Sequence, residues 1–83
     1  RHPNAEPIVA PVSGRILWEV DFNDKSTSPA SGTYYKIGDE IAQIQAPYGL
    51  EAVKTLWDGK IVETVAEQGK LVEKGEIIAF IEK

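Results

Sequence analysis

The sequence predicts an all-β domain, a flattened barrel built from two similar halves of four short strands each. Two observations predict this fold. The first is an internal repeat marked by glycines at equal spacing, and the second is a series of short runs, rich in Ile, Val, Tyr and Trp, that end at glycine. Closing such a sheet into a barrel hides its edges.

The repeat covers most of the chain. Residues 32–45 align without gaps on residues 69–82, and residues 9–16 align on residues 54–61. The identical pairs are Gly14/Gly59, Ile16/Ile61, Gly32/Gly69, Gly38/Gly75, Ile41/Ile78, Ala42/Ala79 and Ile44/Ile81. Because both the spacing and the residue types agree, we expect the two halves to be related by a quasi-two-fold axis.

The first half carries an insertion that the second half lacks. Gly14 and Gly32 are 18 residues apart, whereas Gly59 and Gly69 are 10 residues apart, so the halves differ by eight residues. The extra residues fall within Asp21–Ser31, which is the most polar and turn-rich stretch of the chain. We expect a protruding loop there.

Each half is predicted to contain four strands separated by turns at glycine. A helix is the alternative for Glu63–Lys74, whose Glu, Ala, Gln and Lys residues favour helix, but two glycines interrupt that stretch and the matching first half is not helix-like. The structural turn glycines are expected to be Gly14, Gly38, Gly59 and Gly75, and Trp18 and Trp57 are expected to pack in or over the core. The predicted strands are Ile8–Ala10, Arg15–Val20, Tyr34–Lys36, Glu40–Ala46, Leu50–Thr55, Lys60–Val65, Lys70–Val72 and Ile77–Glu82.

Composition excludes several classes of function. A net charge of −4 argues against a nucleic-acid partner and against an anionic membrane surface, and no apolar run approaches the length of a spanning helix. The chain has no cysteine and one histidine, His2, so neither a metal site nor a nucleophilic triad is expected. We expect a solvated surface from the carboxylates Asp39, Glu40, Glu73, Glu76 and Glu82.

From about Ile8 to Lys83 the sequence resembles the biotinyl/lipoyl carrier family. The residues that carry the resemblance are Ala10-Pro11-Val12-Ser13-Gly14, Gly38-Asp39-Glu40-Ile41 and Val72-Glu73-Lys74-Gly75-Glu76-Ile77-Ile78. The resemblance implies a barrel-sandwich hybrid fold. It also implies that the insertion is a thumb-like loop, as in the biotin carriers of acetyl-CoA carboxylases.

The sequence departs from this family where the family carries its cofactor. Family members place a modified lysine at the tip of a hairpin, within Ala-Met-Lys-Met, about ten residues after the first Gly-Asp. Counting from Gly38 and back from Gly59 reaches the same residue, Tyr48, within Ala46-Pro47-Tyr48-Gly49. A phenol is a poor substitute for an amine because it would form an ester rather than a stable amide. The turn would instead be stiffened by Pro47 and accommodated by Gly49.

A second lysine context offers an alternative attachment site. Glu51-Ala52-Val53-Lys54-Thr55 resembles the family's Glu-Ala-Met-Lys-Met, which would place biotin or a lipoyl group on Lys54. A tip at Lys54 would move the turn by six residues and change the register of the hairpin. In the repeat Lys54 matches Val9, which is a strand position. We therefore expect a strand lysine with its amine in solvent.

Taken together, these features predict a flexible linker over residues 1–7 and a carrier-like domain over residues 8–83. The resemblance implies a non-catalytic, unmodified module of a cytoplasmic biotin-dependent carboxylase or decarboxylase that docks on other domains or subunits. A pyruvate carboxylase or oxaloacetate decarboxylase-type chain is the expected parent, because such domains lie at the C-terminus there and this sequence ends within its last strand. The alternatives are a working carrier modified at Lys54 and an adaptor domain of a transport assembly.

Overall fold

The structure is a computed structural model that describes residues 4–19 and 32–83. The eight predicted strands are all present within these residues, and no helix forms over residues 63–74, so the all-β prediction is confirmed. The strands are β1 Ala5–Val9, β2 Gly14–Trp18, β3 Tyr34–Tyr35, β4 Glu40–Ala46, β5 Gly49–Lys54, β6 Gly59–Thr64, β7 Leu71–Val72 and β8 Ile77–Glu82. The predicted loop within Asp21–Ser31 and the terminal His2 lie outside the described residues.

The strands form two antiparallel sheets of four. One sheet has the order β1-β8-β6-β3 and is called the terminal sheet here, and the other has the order β5-β4-β2-β7 and is called the hairpin sheet. Each sheet takes two strands from each half of the repeat. Exchanging β1 with β5, β2 with β6, β3 with β7 and β4 with β8 converts one order into the other, which confirms the quasi-two-fold relation between the halves.

The core lies between the sheets and repeats with the sequence. Its fully buried isoleucines form three repeat-related pairs, which are Ile16/Ile61, Ile41/Ile78 and Ile44/Ile81. Burial of each such side chain contributes about 2–3 kcal/mol, so these pairs supply much of the driving force for packing the sheets together. Trp18 is also buried in this core and Trp57 packs against it, as predicted.

The turns before β4 and β8 use the same backbone design. Gly38 and Gly75 have φ angles of +89° and +88°, a region that favours glycine, and neither would bring a Cβ within 4 Å of another residue. The amide of Gly38 donates to the carbonyl of Thr55 at 2.8 Å, and the amide of Gly75 donates to the carbonyl of Ala10 at 2.8 Å. These bonds fasten each turn to the end of an adjoining strand.

Gly14 and Gly59 lie at the first residues of β2 and β6. A Cβ on Gly14 would collide with the backbone carbonyl of Gln45, and a Cβ on Gly59 would collide with the backbone carbonyl of Glu82. These two glycines are therefore required by close approach of neighbouring strands, whereas Gly38 and Gly75 are required by turn conformation.

β1 begins at Ala5, three residues earlier than the predicted strand, so it includes Pro7 and residues expected in the linker. Pro7 pairs with Phe80 of β8. A proline has no amide hydrogen to donate, but β1 is an edge of its sheet, so the nitrogen of Pro7 can face the open side, where no neighbouring strand needs a donor. Pro7 therefore occurs inside a strand without breaking it.

Candidate functional site

The hairpin of β4 and β5 contains Tyr48, the residue that the sequence resemblance predicts to be equivalent to the modified lysine. The last paired residues are Ala46 and Gly49, so the connecting turn consists of Pro47 and Tyr48. The apex of the hairpin thus carries a proline and a phenol ring. We call the four residues from Ala46 to Gly49 the apex.

The chemistry of the apex residues restricts the type of turn. Proline fixes φ near −65°, whereas the two-residue hairpin turns that best match strand twist need a positive φ at that first position. Proline at the first turn position with glycine two residues later is the pattern of a type I turn. Gly49 has a φ of +136° and so absorbs the mismatch between this turn and the twist of β5.

Two apolar side chains are exposed at and beside the apex. Tyr48 is 69% exposed and Leu50 is 58% exposed. The sequence-based prediction singled out Tyr48 and placed Leu50 at the start of a strand without a functional role. Strand alternation could have identified Leu50, because Val53 is buried and Leu50 lies three residues before it, on the opposite face.

Lys54 lies at the other end of the hairpin. It is the last residue of β5, its side chain is exposed, and it pairs with Glu40 at the start of β4. Six residues separate it from Tyr48, which corresponds to about 20 Å along a strand. The structure therefore does not bring Lys54 to the apex.

The electrostatic environment near Lys54 is acidic. A hydrogen bond between the carboxyl groups of Glu19 and Glu40 raises the pKa of Glu19, and slight desolvation and the charge of Glu40 raise it further. The side-chain amide of Gln43 donates a hydrogen bond to the carboxylate of Glu40 at 3.2 Å. Lys54 is thus a strand residue opposite a carboxyl pair rather than the tip of a projecting turn.

A second surface feature lies beside β3. An open depression of about 610 Å³ is lined by both tyrosines of that strand, and the ammonium group of Lys60 lies 5.7 Å from the ring centre of Tyr34. The acidic residues of the depression, Asp39 and Asp58, already accept backbone amides of the β3–β4 turn, from Lys36 and Ile37 respectively. These two carboxylates therefore stabilise the β3–β4 turn.

No metal centre or membrane-spanning helix is found in the described part of the chain. No group of three or more His, Asp or Glu side chains within residues 4–19 and 32–83 is arranged to hold a metal ion. Over the same ranges no helix is long or apolar enough to cross a bilayer.

Solved structures share this fold across nearly the whole chain. A single-chain, multi-domain long-chain acyl-CoA carboxylase matches with a TM-score of 0.76 and 18% identity, over 100% of this chain and 8% of its own. The urea carboxylase of Kluyveromyces lactis matches with a TM-score of 0.74 and 26% identity, over 93% of this chain and 6% of its own. The fold recurs inside much larger enzyme chains.

The same fold also occurs outside these carboxylases. A succinylglutamate desuccinylase / aspartoacylase family protein from Shewanella amazonensis matches with a TM-score of 0.74 and 15% identity, over 98% of this chain and 21% of its own. Comparison with protein-family models and with curated proteins finds no match. This chain spans a small fraction of each similar structure, so the fold is shared at the level of one domain.

Proposed function

We propose that this chain is a non-catalytic biotin-carboxyl-carrier-like domain of a biotin-dependent carboxylase or decarboxylase, and that it is not itself biotinylated. Its role is to dock on, or to support, the other domains or subunits of that enzyme. A pyruvate carboxylase or oxaloacetate decarboxylase-type chain is the proposed parent, and the cytoplasm is its proposed location.

The observation that carries the proposal is the chemistry of the apex. A biotin or lipoyl group is attached in this family as an amide, which needs a nucleophilic amine at the end of a long side chain. The apex offers the phenol of Tyr48, which would form an ester rather than a stable amide, and the ring nitrogen of Pro47, which is already part of a peptide bond. The apex residues therefore do not fit a covalently attached cofactor.

Exposure of the apex supports a docking role. Tyr48 projects from a hairpin that is held together by its own strand pairing, so its side chain is not needed to fill the core. Aromatic residues are enriched in protein interfaces because they bury a large area at a small cost in conformational entropy. We infer that the apex, with Tyr48 at its tip, is the surface that meets the rest of the enzyme.

The similarity to two carboxylases supports the proposed parent enzyme. The matched segments are 8% and 6% of those chains, which agrees with a small module within a large enzyme. The identities of 18% and 26% leave the type of carboxylase open, so the choice of parent rests on the sequence resemblance.

Co-expression with a biotin ligase and, separately, with a lipoyl ligase tests the proposal. Intact mass spectrometry of the purified chain is expected to show the unmodified mass in both cases, while a known carrier domain expressed in the same cells gains its cofactor. A gain of one biotinyl or lipoyl group that disappears in Lys54→Arg would contradict the proposal and establish Lys54 as the attachment site.

A further inference from the structure

The strand edges of this fold are not equally protected. Both sheets are open, so β1 and β3 are the edges of the terminal sheet, and β5 and β7 are the edges of the hairpin sheet. β3 and β7 have two residues each, which is too short to template another strand. β1 contains Pro7, whereas β5 has six residues and no proline.

The hydrogen-bond pattern identifies the unpaired groups of β5. The amide of Glu19 donates to the carbonyl of Ile41, so the backbone N–H and C=O groups of Ile41, Gln43 and Gln45 point towards β2, and those of Ala42, Ile44 and Ala46 point towards β5. The register shifts at a bulge between Glu40 and Ala42, and beyond it the amide of Thr55 donates to the carbonyl of Asp39, so the alternation along β5 continues past Val53. On β5, the backbone groups of the residues between those bonded to β4 therefore point to the open side of the sheet. These residues are Leu50, Ala52 and Lys54, and within the described residues no hydrogen bond reaches their amides.

The repeat shows how the other long edge is blocked. Pro7 of β1 pairs with Phe80, and Ala52 of β5 pairs with Gln43, which is the repeat equivalent of Phe80. Pro7 and Ala52 therefore occupy equivalent positions, with the backbone nitrogen on the open side of each sheet. At this position the terminal sheet has a proline, which has no N–H donor, whereas the hairpin sheet has an alanine, which has one.

We propose that β5 pairs antiparallel with β5 of a second copy of this chain, with Ala52 opposite Ala52 of the second copy. In this register Ala52 of each copy donates to and accepts from Ala52 of the other. Leu50 exchanges the same pair of bonds with Lys54 of the second copy. The arrangement is self-complementary and closed by a two-fold axis, so it leaves neither β5 edge free.

Pairing with a second copy in this register avoids like-charge repulsion between the strands. Glu51 lies opposite Val53 of the second copy, and Lys54 lies opposite Leu50, so no like charges face each other. A register centred on Glu51 would place two carboxylates in direct opposition, which is unfavourable. The small side chain of Ala52 allows close approach at the axis, and the aliphatic stem of Lys54 covers Leu50, which is 58% exposed in the single chain.

Strand pairing of this length forms a weak dimer. Two six-residue strands bury less than the roughly 1,200 Å² of a standard interface. Each copy also carries a net charge of −4, which opposes association at low salt. We expect the chain to be mostly monomeric at about 5 µM and substantially dimeric at about 0.5 mM in 0.15 M salt.

Sedimentation velocity over this concentration range tests the pairing. Ala52→Pro removes the outward amide, as Pro7 does on the other edge, and is expected to raise the dimer dissociation constant by about tenfold or more. Ala52→Ser keeps the amide and is the matched control, which is expected to dimerise like the unaltered chain. A chain that stays monomeric at 0.5 mM, or a dimer that persists in folded Ala52→Pro, would overturn the proposal.

Hydrogen exchange of the unaltered chain provides a second measurement that does not depend on the folding of Ala52→Pro. The amides of Leu50, Ala52 and Lys54 are expected to exchange more slowly at 0.5 mM than at 5 µM. Equal exchange of these amides at both concentrations would also overturn the pairing. Neither result bears on the absence of an attached cofactor, so this proposal and the proposed function can fail separately.

Discussion

At the scale of single residues, the glycines of the repeat serve two physical needs. Gly14 and Gly59 leave room for a backbone carbonyl of a neighbouring strand, and Gly38 and Gly75 adopt a positive φ in a turn. Glycine therefore occurs at both kinds of position but for different physical reasons, and substitutions can distinguish these reasons.

Asparagine substitutions distinguish these two needs. Gly59→Asn is expected to lower the free energy of unfolding by about 3 kcal/mol, because its Cβ has to displace the backbone of Glu82. Gly75→Asn is expected to cost less than about 1 kcal/mol, because its Cβ meets open space and asparagine tolerates a positive φ. Urea denaturation measures both values. Equal costs at the two positions would contradict the structural distinction.

Glu76 supplies a residue-scale prediction about pH. A hydrogen bond from Lys70 at 2.8 Å is the main cause that lowers the pKa of Glu76, and the backbone amide of Glu73 lowers it further. A lowered carboxyl pKa adds stability that is present above about pH 4.5 and is lost as the pH falls through the folded-state pKa. We expect Lys70→Gln to raise the pKa of Glu76 towards 4.5.

Carbon-13 NMR titration of the Glu76 side-chain carboxyl measures this shift. Lys74→Gln is the matched control, since Lys74 bonds to the hydroxyl of Ser13 through its backbone amide, which the substitution keeps. The control is expected to leave the titration of Glu76 nearly unchanged. If Lys70→Gln leaves the titration midpoint of Glu76 unchanged, the ion pair between Lys70 and Glu76 is not formed in solution.

At the scale of elements, one side chain ties β2 to the segment between β6 and β7. The side-chain oxygen of Gln68 accepts the amide of Trp18 at 2.6 Å, and its nitrogen donates to the carbonyl of Trp18 at 3.3 Å. The indole nitrogen of Trp18 donates to the carbonyl of Ala66 at 2.8 Å. The end of β2 is therefore satisfied by residues about 50 positions later in the chain.

Removing this link is expected to destabilise the domain measurably. Gln68→Ala should lower the free energy of unfolding by about 1–2 kcal/mol, because two backbone groups of Trp18 lose their partner. Glu67→Ala, at the neighbouring exposed position, is expected to change it by less than about 0.5 kcal/mol. Thermal unfolding followed by tryptophan fluorescence compares the two variants. Equal stabilities would show that the Gln68 contact is not formed in solution.

At the scale of the whole molecule, the repeat was enough to predict the strands and their two-fold relation. Glycine spacing and β-branched runs are local signals, and in the structure they correspond to turns or strand starts and to strands. The early start of β1 was not predictable, because Pro7 is a strand breaker except at an edge, and edges are defined only when sheets assemble. The bonds of Gln68 to Trp18 were missed for a similar reason, since nothing in the local sequence pairs residues so far apart.

The position of Tyr48 in a hairpin turn was predictable from the sequence, but its surroundings were not. Counting from glycines in both halves identified Tyr48, and the structure places this residue in the β4–β5 turn. Leu50 beside it, and the carboxyl pair of Glu19 and Glu40 near Lys54, depend on which faces and strand ends meet after folding. The position of a turn can thus be inferred from the repeat, whereas the residues that surround it depend on how the sheets assemble.

Restoring an amine at the apex is the most direct measurement of whether this chain is a carrier fold without its attachment site. The variant Pro47→Met/Tyr48→Lys/Gly49→Met is made in a Lys54→Arg background and co-expressed with a biotin ligase, alongside Lys54→Arg alone and the unaltered chain. Intact mass is expected to show one biotinyl group on the apex variant and none on the other two. A biotinyl group on the unaltered chain, or none on a folded apex variant when a known carrier is fully modified, would contradict the account.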